Sequence, residues 1–193
     1  MSAANAPTPP PHERAAFSIT DQDVRMMERA LGLATAAAAI GEVPVGAVVF
    51  ESVTGRIIGE GANRRETDGD PLAHAELIAI AGASKAIGDW RLSHCTLVVT
   101  LEPCAMCAGA IVNSRIGRLV YGAADPKAGC CGSLMRITED PRLNHRVTPI
   151  TGVLAAECGE LLRSFFRALR SGPAGERSRD ARAPDGPDQQ PVR

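Results

Sequence analysis

The stretch 95–122 constrains the fold more than any other part of the chain. CTLVVTL at 95–101 is a nearly continuous apolar run, the pattern of a strand covered on both faces. Pro103 then opens a segment of helical period that reaches 114, with proline at the first helical position, and 118–122 returns to strand character. A buried strand, a helix and a second strand in that order form a right-handed βαβ unit. The remainder has to be arranged around it.

Upstream, 21–40 has helical period, with Val24, Met27, Leu31, Ala34 and Ala38 on one stripe and Thr20 or Asp21 as N-cap. Residues 44–50 and 56–61 are short β-rich runs joined at Thr54-Gly55, which predicts a hairpin. The segment 71–87 is helical. Downstream, 147–154 predicts a strand and 155–170 a helix. The order αββαβαβα implies an α/β protein, a three-layer α/β/α sandwich with a mixed central sheet. Pro7, Pro9, Pro10 and Pro11 mark 1–16 as a disordered tail, and the Gly, Pro and balanced charge of 171–193 mark a second one, leaving a single domain over 17–170.

Composition narrows the classes. Apolar residues make up 45% and charged residues 22% of the 193, close to the globular average. Aromatics are only 3%, too few for a multi-base stacking platform. The 21 Lys and Arg nearly balance 22 Asp and Glu, so a nucleic-acid partner requires a local basic patch. Arg64, Arg65, Arg142, Arg146 and Arg170 are the candidates for one. The N-terminus has neither the basic start nor the apolar stretch of a secretory signal, and the Ala-rich run near 30–40 is too short to cross a bilayer. A cytoplasmic, membrane-free protein is expected. Six cysteines in such a chain point to metal or redox chemistry before disulfides; of these, Cys95 and Cys158 fall at core positions, and adjacent Cys130 and Cys131 read as small, partly buried filler.

Cys104 and Cys107 lie three apart at the start of a helix, so both sulfurs leave one face of its first turn. Alone, the pair fits a metal, a thioredoxin-like redox couple or two buried thiols. His74 and Glu76, near the start of another core helix, add an imidazole and a carboxylate. If the two helix N-termini meet at one sheet edge, His74, Cys104 and Cys107 make three protein ligands for zinc, with a fourth position open to water as catalysis requires. Glu76 is then a free carboxylate placed to move protons. The pattern H-x-E followed by P-C-x-x-C is the signature of zinc-dependent nucleobase deaminases.

Longer blocks sharpen that signature. EVPVGAVV at 42–49, GEGANR at 59–64, AHAE at 73–76, TLEPCAMCAGAIVNSRIGRLVYGA at 100–123, GSLM at 132–135, NHRV at 144–147 and SFFRALR at 164–170 together resemble bacterial tRNA-specific adenosine deaminases, of the cytidine/deoxycytidylate deaminase superfamily. The resemblance covers about 24–170. It implies a cytidine-deaminase-like fold and hydrolytic deamination of the anticodon wobble adenosine to inosine. One zinc per subunit would be held by His74, Cys104 and Cys107; its hydroxide would attack C6 of the adenine, with Glu76 shuttling protons. Asn63 would hydrogen-bond the flipped base, and Val45 and the Ala75 backbone would line its pocket. Asp125 and Lys127, with Phe166 and Arg170 on the last helix, match positions that contact the flanking nucleotides. A homodimer with the tRNA anticodon stem-loop touching both subunits is also implied. Two other readings use the same ligands: a deaminase of free guanine or cytosine, and a noncatalytic zinc-folded subunit that binds tRNA.

Overall fold

The computed structural model describes residues 18–171. The expected tails at 1–16 and 171–193 lie outside these residues, except for Ser171, which ends the last helix. Helix α1 (Asp21–Ala39) leads into strands β1 (Gly46–Glu51) and β2 (Ile57–Ala62). A single turn, α2 (Arg65–Asp68), precedes α3 (Ala75–Ile87). Strand β3 (Cys95–Leu101), α4 (Ala105–Asn113), β4 (Arg118–Ala123), β5 (Pro149–Thr151) and α5 (Ala155–Ser171) complete the chain.

The strands form one sheet in the order β2-β1-β3-β4-β5. β1 is antiparallel to β2 and β3, whereas β3–β4 and β4–β5 are parallel. Because β3 is central, its apolar residues are buried on both faces, as its unbroken hydrophobic run requires. One core layer places Val49, Leu97, Val99 and Leu119 with Ala79 of α3 and Ile111 of α4; the other places Val48, Val98 and Val120 with Met27 of α1 and Cys158 of α5. The expected three layers and mixed sheet are therefore present.

Local chemistry sets the element ends. Thr20 caps α1 reciprocally with Asp23, its hydroxyl accepting the Asp23 N–H while the Asp23 carboxylate accepts the Thr20 N–H. The stripe that α1 buries is Met27, Ala30, Ala34 and Ala37, rotated from the predicted one, in which Val24, Leu31 and Ala38 are only half-buried. The cause is Gly46: a side chain there would strike the Ala30 carbonyl at 2.1 Å, so its absence lets the alanine face sit directly on the sheet.

Both site helices begin later than the sequence predicts. The Asp70 carboxylate accepts the Leu72 N–H at 2.8 Å, an Asx turn that holds 71–74 out of the helix. Arg64 N–H donates to the Ala73 carbonyl at 3.0 Å, which closes the intervening loop and returns the chain beside Asn63. α4 likewise starts at Ala105, so Pro103 precedes the N-cap and does not occupy the first helical position. The predicted strand at 147–154 shrinks to Pro149–Thr151, since Gly152 turns the chain with a φ of 87°.

Candidate active site at two helix N-termini

His74 and Cys104 are the N-cap residues of α3 and α4, with extended backbones (φ −80°, ψ 146° and φ −71°, ψ 176°). Neither side chain caps its own helix. Their donor atoms are thus free to face one another across the ends of β1 and β3. His74 Nδ1 lies 3.8 Å from Cys104 Sγ and 3.6 Å from Cys107 Sγ, and the three ligand atoms are all within 4.8 Å of one another. Tetrahedral coordination with ordinary Zn–N and Zn–S bond lengths would separate nitrogen from sulfur by ~3.5 Å and sulfur from sulfur by ~3.8 Å. The two nitrogen–sulfur distances match those of a tetrahedral metal site.

The electrostatics follow from this packing. The Cys107 thiol donates to the Cys104 sulfur, holding Cys104 down at about 5, and the same contact pushes Cys107 up. Glu76, in the first turn of α3, is only 4% exposed, and burial pushes its carboxyl up from the ordinary value. A carboxyl so placed can hold a proton as well as release one.

In front of the cluster is a cleft of about 150 Å³ lined by Val43, Val45, Asn63, Arg65, His74, Glu76, Leu101, Glu102, Cys104, Asp125 and Ala128. Of the residues singled out in the sequence, it therefore gathers Val45, Asn63, His74, Glu76, Cys104 and Asp125. Cys107 and Ala75 are buried behind it. Gly61 explains how α3 comes so close, because a side chain there would meet the Ala75 carbonyl at 2.1 Å.

Lys127, Phe166 and Arg170 are outside the cleft and line an adjoining groove, of about 930 Å³, between α5 and the segment 123–127. Val43, Leu101 and Asp125 border both hollows. Phe166 is 41% exposed and meets Phe165 edge-on. Arg163 and Arg167 share Glu160 at 3.0 and 2.9 Å.

The expected arginine patch is less uniform. Arg65 reaches the cleft and Arg170 the groove, while Arg142 and Arg146 border separate hollows. Arg64, Arg65 and Arg142 pair with Asp68, Glu66 and Asp140. Cys130 and Cys131 are buried, and burial pushes Cys131 up to about 12, which fits filler and not a reactive pair.

Two buried carboxylates beside the cleft have no role in the sequence reading: Glu42 (0% exposed) and Glu102 (2%). Glu102 accepts backbone N–H groups from Asp125, Cys131 and Ser133 and the Ser133 hydroxyl, thereby tying the loop after β4 to the end of β3. A usable signal existed at 102. A carboxylate between an unbroken apolar strand and Pro-Cys has little access to water and must find donors in the protein.

Residues 21–170 match the MafB19-like deaminase family. A tRNA-specific adenosine deaminase of Bacillus subtilis is 50% identical over 149 residues, covering 77% of this chain and 91% of that protein. A solved structure from studies of A-to-I editing by tRNA:A34 deaminases at the wobble position of transfer RNA superposes with a TM-score of 0.68 at 43% identity, over 72% of this chain and 99% of that one. A guanine deaminase from Nitrosomonas europaea superposes with a TM-score of 0.65 at 27% identity, over 86% and 97%.

Proposed function

Since the chain belongs to the family of tRNA-specific adenosine deaminases, we propose that it hydrolyses the wobble adenosine of a tRNA anticodon to inosine. The observation that carries this reading is the meeting of His74, Cys104 and Cys107 at two helix N-termini, with buried Glu76 beside them. Zinc, when bound by those three side chains, would supply the Lewis acidity that makes water a nucleophile near neutral pH. Glu76 takes one proton from the attacking water and delivers it to the ring nitrogen beside the attacked carbon, then takes the second from the hydroxyl now on that carbon and passes it to the amino group, which leaves as ammonia. Val45 and the Ala75 backbone border the flipped base, and Asn63 hydrogen-bonds it.

The groove beyond Asp125 takes the nucleotides that flank the target. Phe166 offers a stacking face, and Lys127 and Arg170 offer charge to phosphates. The continuity of cleft and groove at Val43, Leu101 and Asp125 supports one RNA strand occupying both. Two copies form the working unit, in the cytoplasm where tRNA is available. Among the described residues no helix is long and apolar enough to cross a membrane.

The test is inosine formation in a transcribed anticodon stem-loop carrying a wobble adenosine, with free adenosine, cytidine and guanine assayed in parallel. Conversion of the stem-loop alone supports the proposal. The likeness to a guanine deaminase favours one alternative, a free-base enzyme, which would turn over guanine and leave the RNA intact. Metal-loaded protein silent on all four would point to a noncatalytic tRNA-binding subunit.

A further inference from the structure

Glu42 is a carboxylate for which the chemistry above has no use, yet it is fully buried just before β1. Burying a carboxylate is costly unless hydrogen bonds replace its water. Both of its oxygens are engaged: Oε2 accepts from Asn63 Nδ2 at 3.0 Å, and Oε1 accepts the Thr67 backbone N–H at 2.6 Å. Of the two cations on the same loop, Arg64 is committed to Asp68 through two hydrogen bonds and Arg65 pairs with Glu66. Burial pushes the Glu42 carboxyl up, but hydrogen bonds from Thr67 and the Glu66 backbone together hold the group below its ordinary value, which favours the ionised form.

An ionised carboxylate can only accept hydrogen bonds, so the side of the Asn63 amide facing Glu42 must be its NH2. The backbone of Asn63 is fixed too, its N–H donating to the Val45 carbonyl at 3.0 Å. The amide's carbonyl oxygen is therefore turned away from Glu42, on a side chain that lines the cleft with Val45, His74 and Glu76. An amide free to rotate would offer a donor or an acceptor with similar ease. One that is held discriminates between bases by what they present.

We propose that Glu42 is a positioning residue that locks the Asn63 amide, so that the cleft offers an acceptor to bases presenting an N–H at that point, as the exocyclic amine of adenine does. This rests on the reading that Asn63 contacts the base. The competing role for Glu42 is to hold, through Thr67, the loop that leads to His74.

A double-mutant cycle separates the two, using the full chain with its metal bound and the wobble-adenosine stem-loop as substrate, with kcat, KM and bound metal measured for each variant. Glu42→Gln keeps the volume, but if the introduced amide's oxygen retains the Thr67 N–H, its NH2 confronts Asn63 and turns that amide over. A loss in kcat/KM of roughly tenfold to a hundredfold is expected, as for a buried hydrogen bond to a charged group. The loss should vanish in an Asn63→Ala background, and bound metal should be unchanged. The pair E42Q/N63D should recover at least about tenfold over E42Q, because a carboxylate at 63 can accept from the introduced amide and still offer an oxygen to the base.

Effects that multiply, or no recovery in the paired variant, would overturn the inference. Wild-type activity in E42Q alongside an impaired Asn63→Ala would overturn it alone. Wild-type activity in Asn63→Ala would remove the base contact, and with it this inference. If E42Q does not fold, Asn63→Asp decides: two facing carboxylates should leave it less active than Asn63→Ala, and greater activity would refute the lock.

Discussion

The cleft and its adjoining groove form one surface with two walls that meet at Asp125 and are built on different principles. One consists of the N-termini of α3 and α4, where His74, Glu76, Cys104 and Cys107 are set by helix starts packed on the sheet. The other is a loop after β4, tied back by hydrogen bonds to Glu102, together with the exposed face of α5. In the first wall the four side chains are set by backbone geometry and are buried or half-buried. In the second, Lys127, Phe166 and Arg170 stand in solvent, and the ion pairs of Arg163 and Arg167 with Glu160 are screened by water. The difference separates chemistry from recognition: rigid helix ends suit proton and metal work, whereas a loop and a helix face can follow a long substrate.

The contrast can be broken most severely from the first wall. Stripping the metal with a chelator should abolish deamination and lower the unfolding temperature, with zinc restoring both; retained activity would refute a metal-dependent cleft. Glu76→Gln should cost about a hundredfold to ten-thousandfold in kcat while metal content stays at one per chain, as measured by inosine release and metal analysis. Next in size is the anchor of the second wall. Glu102→Gln should raise KM for the stem-loop roughly tenfold, since one amide oxygen cannot serve the donors that two carboxylate oxygens accept. Phe166→Ala probes the exposed face and should raise KM only several-fold, as expected for the loss of one stacking surface, with kcat unchanged. An effect of Phe166→Ala on kcat as large as that of Glu76→Gln would erase the distinction between the walls.

The two walls also differed in how far they could be read from sequence. The ligand cluster was legible because a hydrophobic run, a proline and a three-residue cysteine spacing are local signals, and because two helix starts have few ways to meet on one sheet. Their true starting residues were not, since the Asx turn at Asp70 and the cap at Cys104 depend on hydrogen bonds that period alone does not reveal. The α1 stripe was misplaced for a related reason: the contact surface is set by a glycine on another element, Gly46. The second wall was harder still. Glu102 collects its donors from residues 23 to 31 positions away, a pairing that no local pattern carries.

The contact between Gly61 and the Ala75 carbonyl makes a strand backbone the datum from which the buried Glu76 carboxylate is measured. Ile80 and Leu97 pack in the same core layer and set its firmness. Conservative exchanges among them should soften the protein without detuning it, much as a building can be refurnished while its survey mark stays in place. A methyl group at 61 would instead shift the mark itself, lifting His74 and Glu76 together away from Cys104.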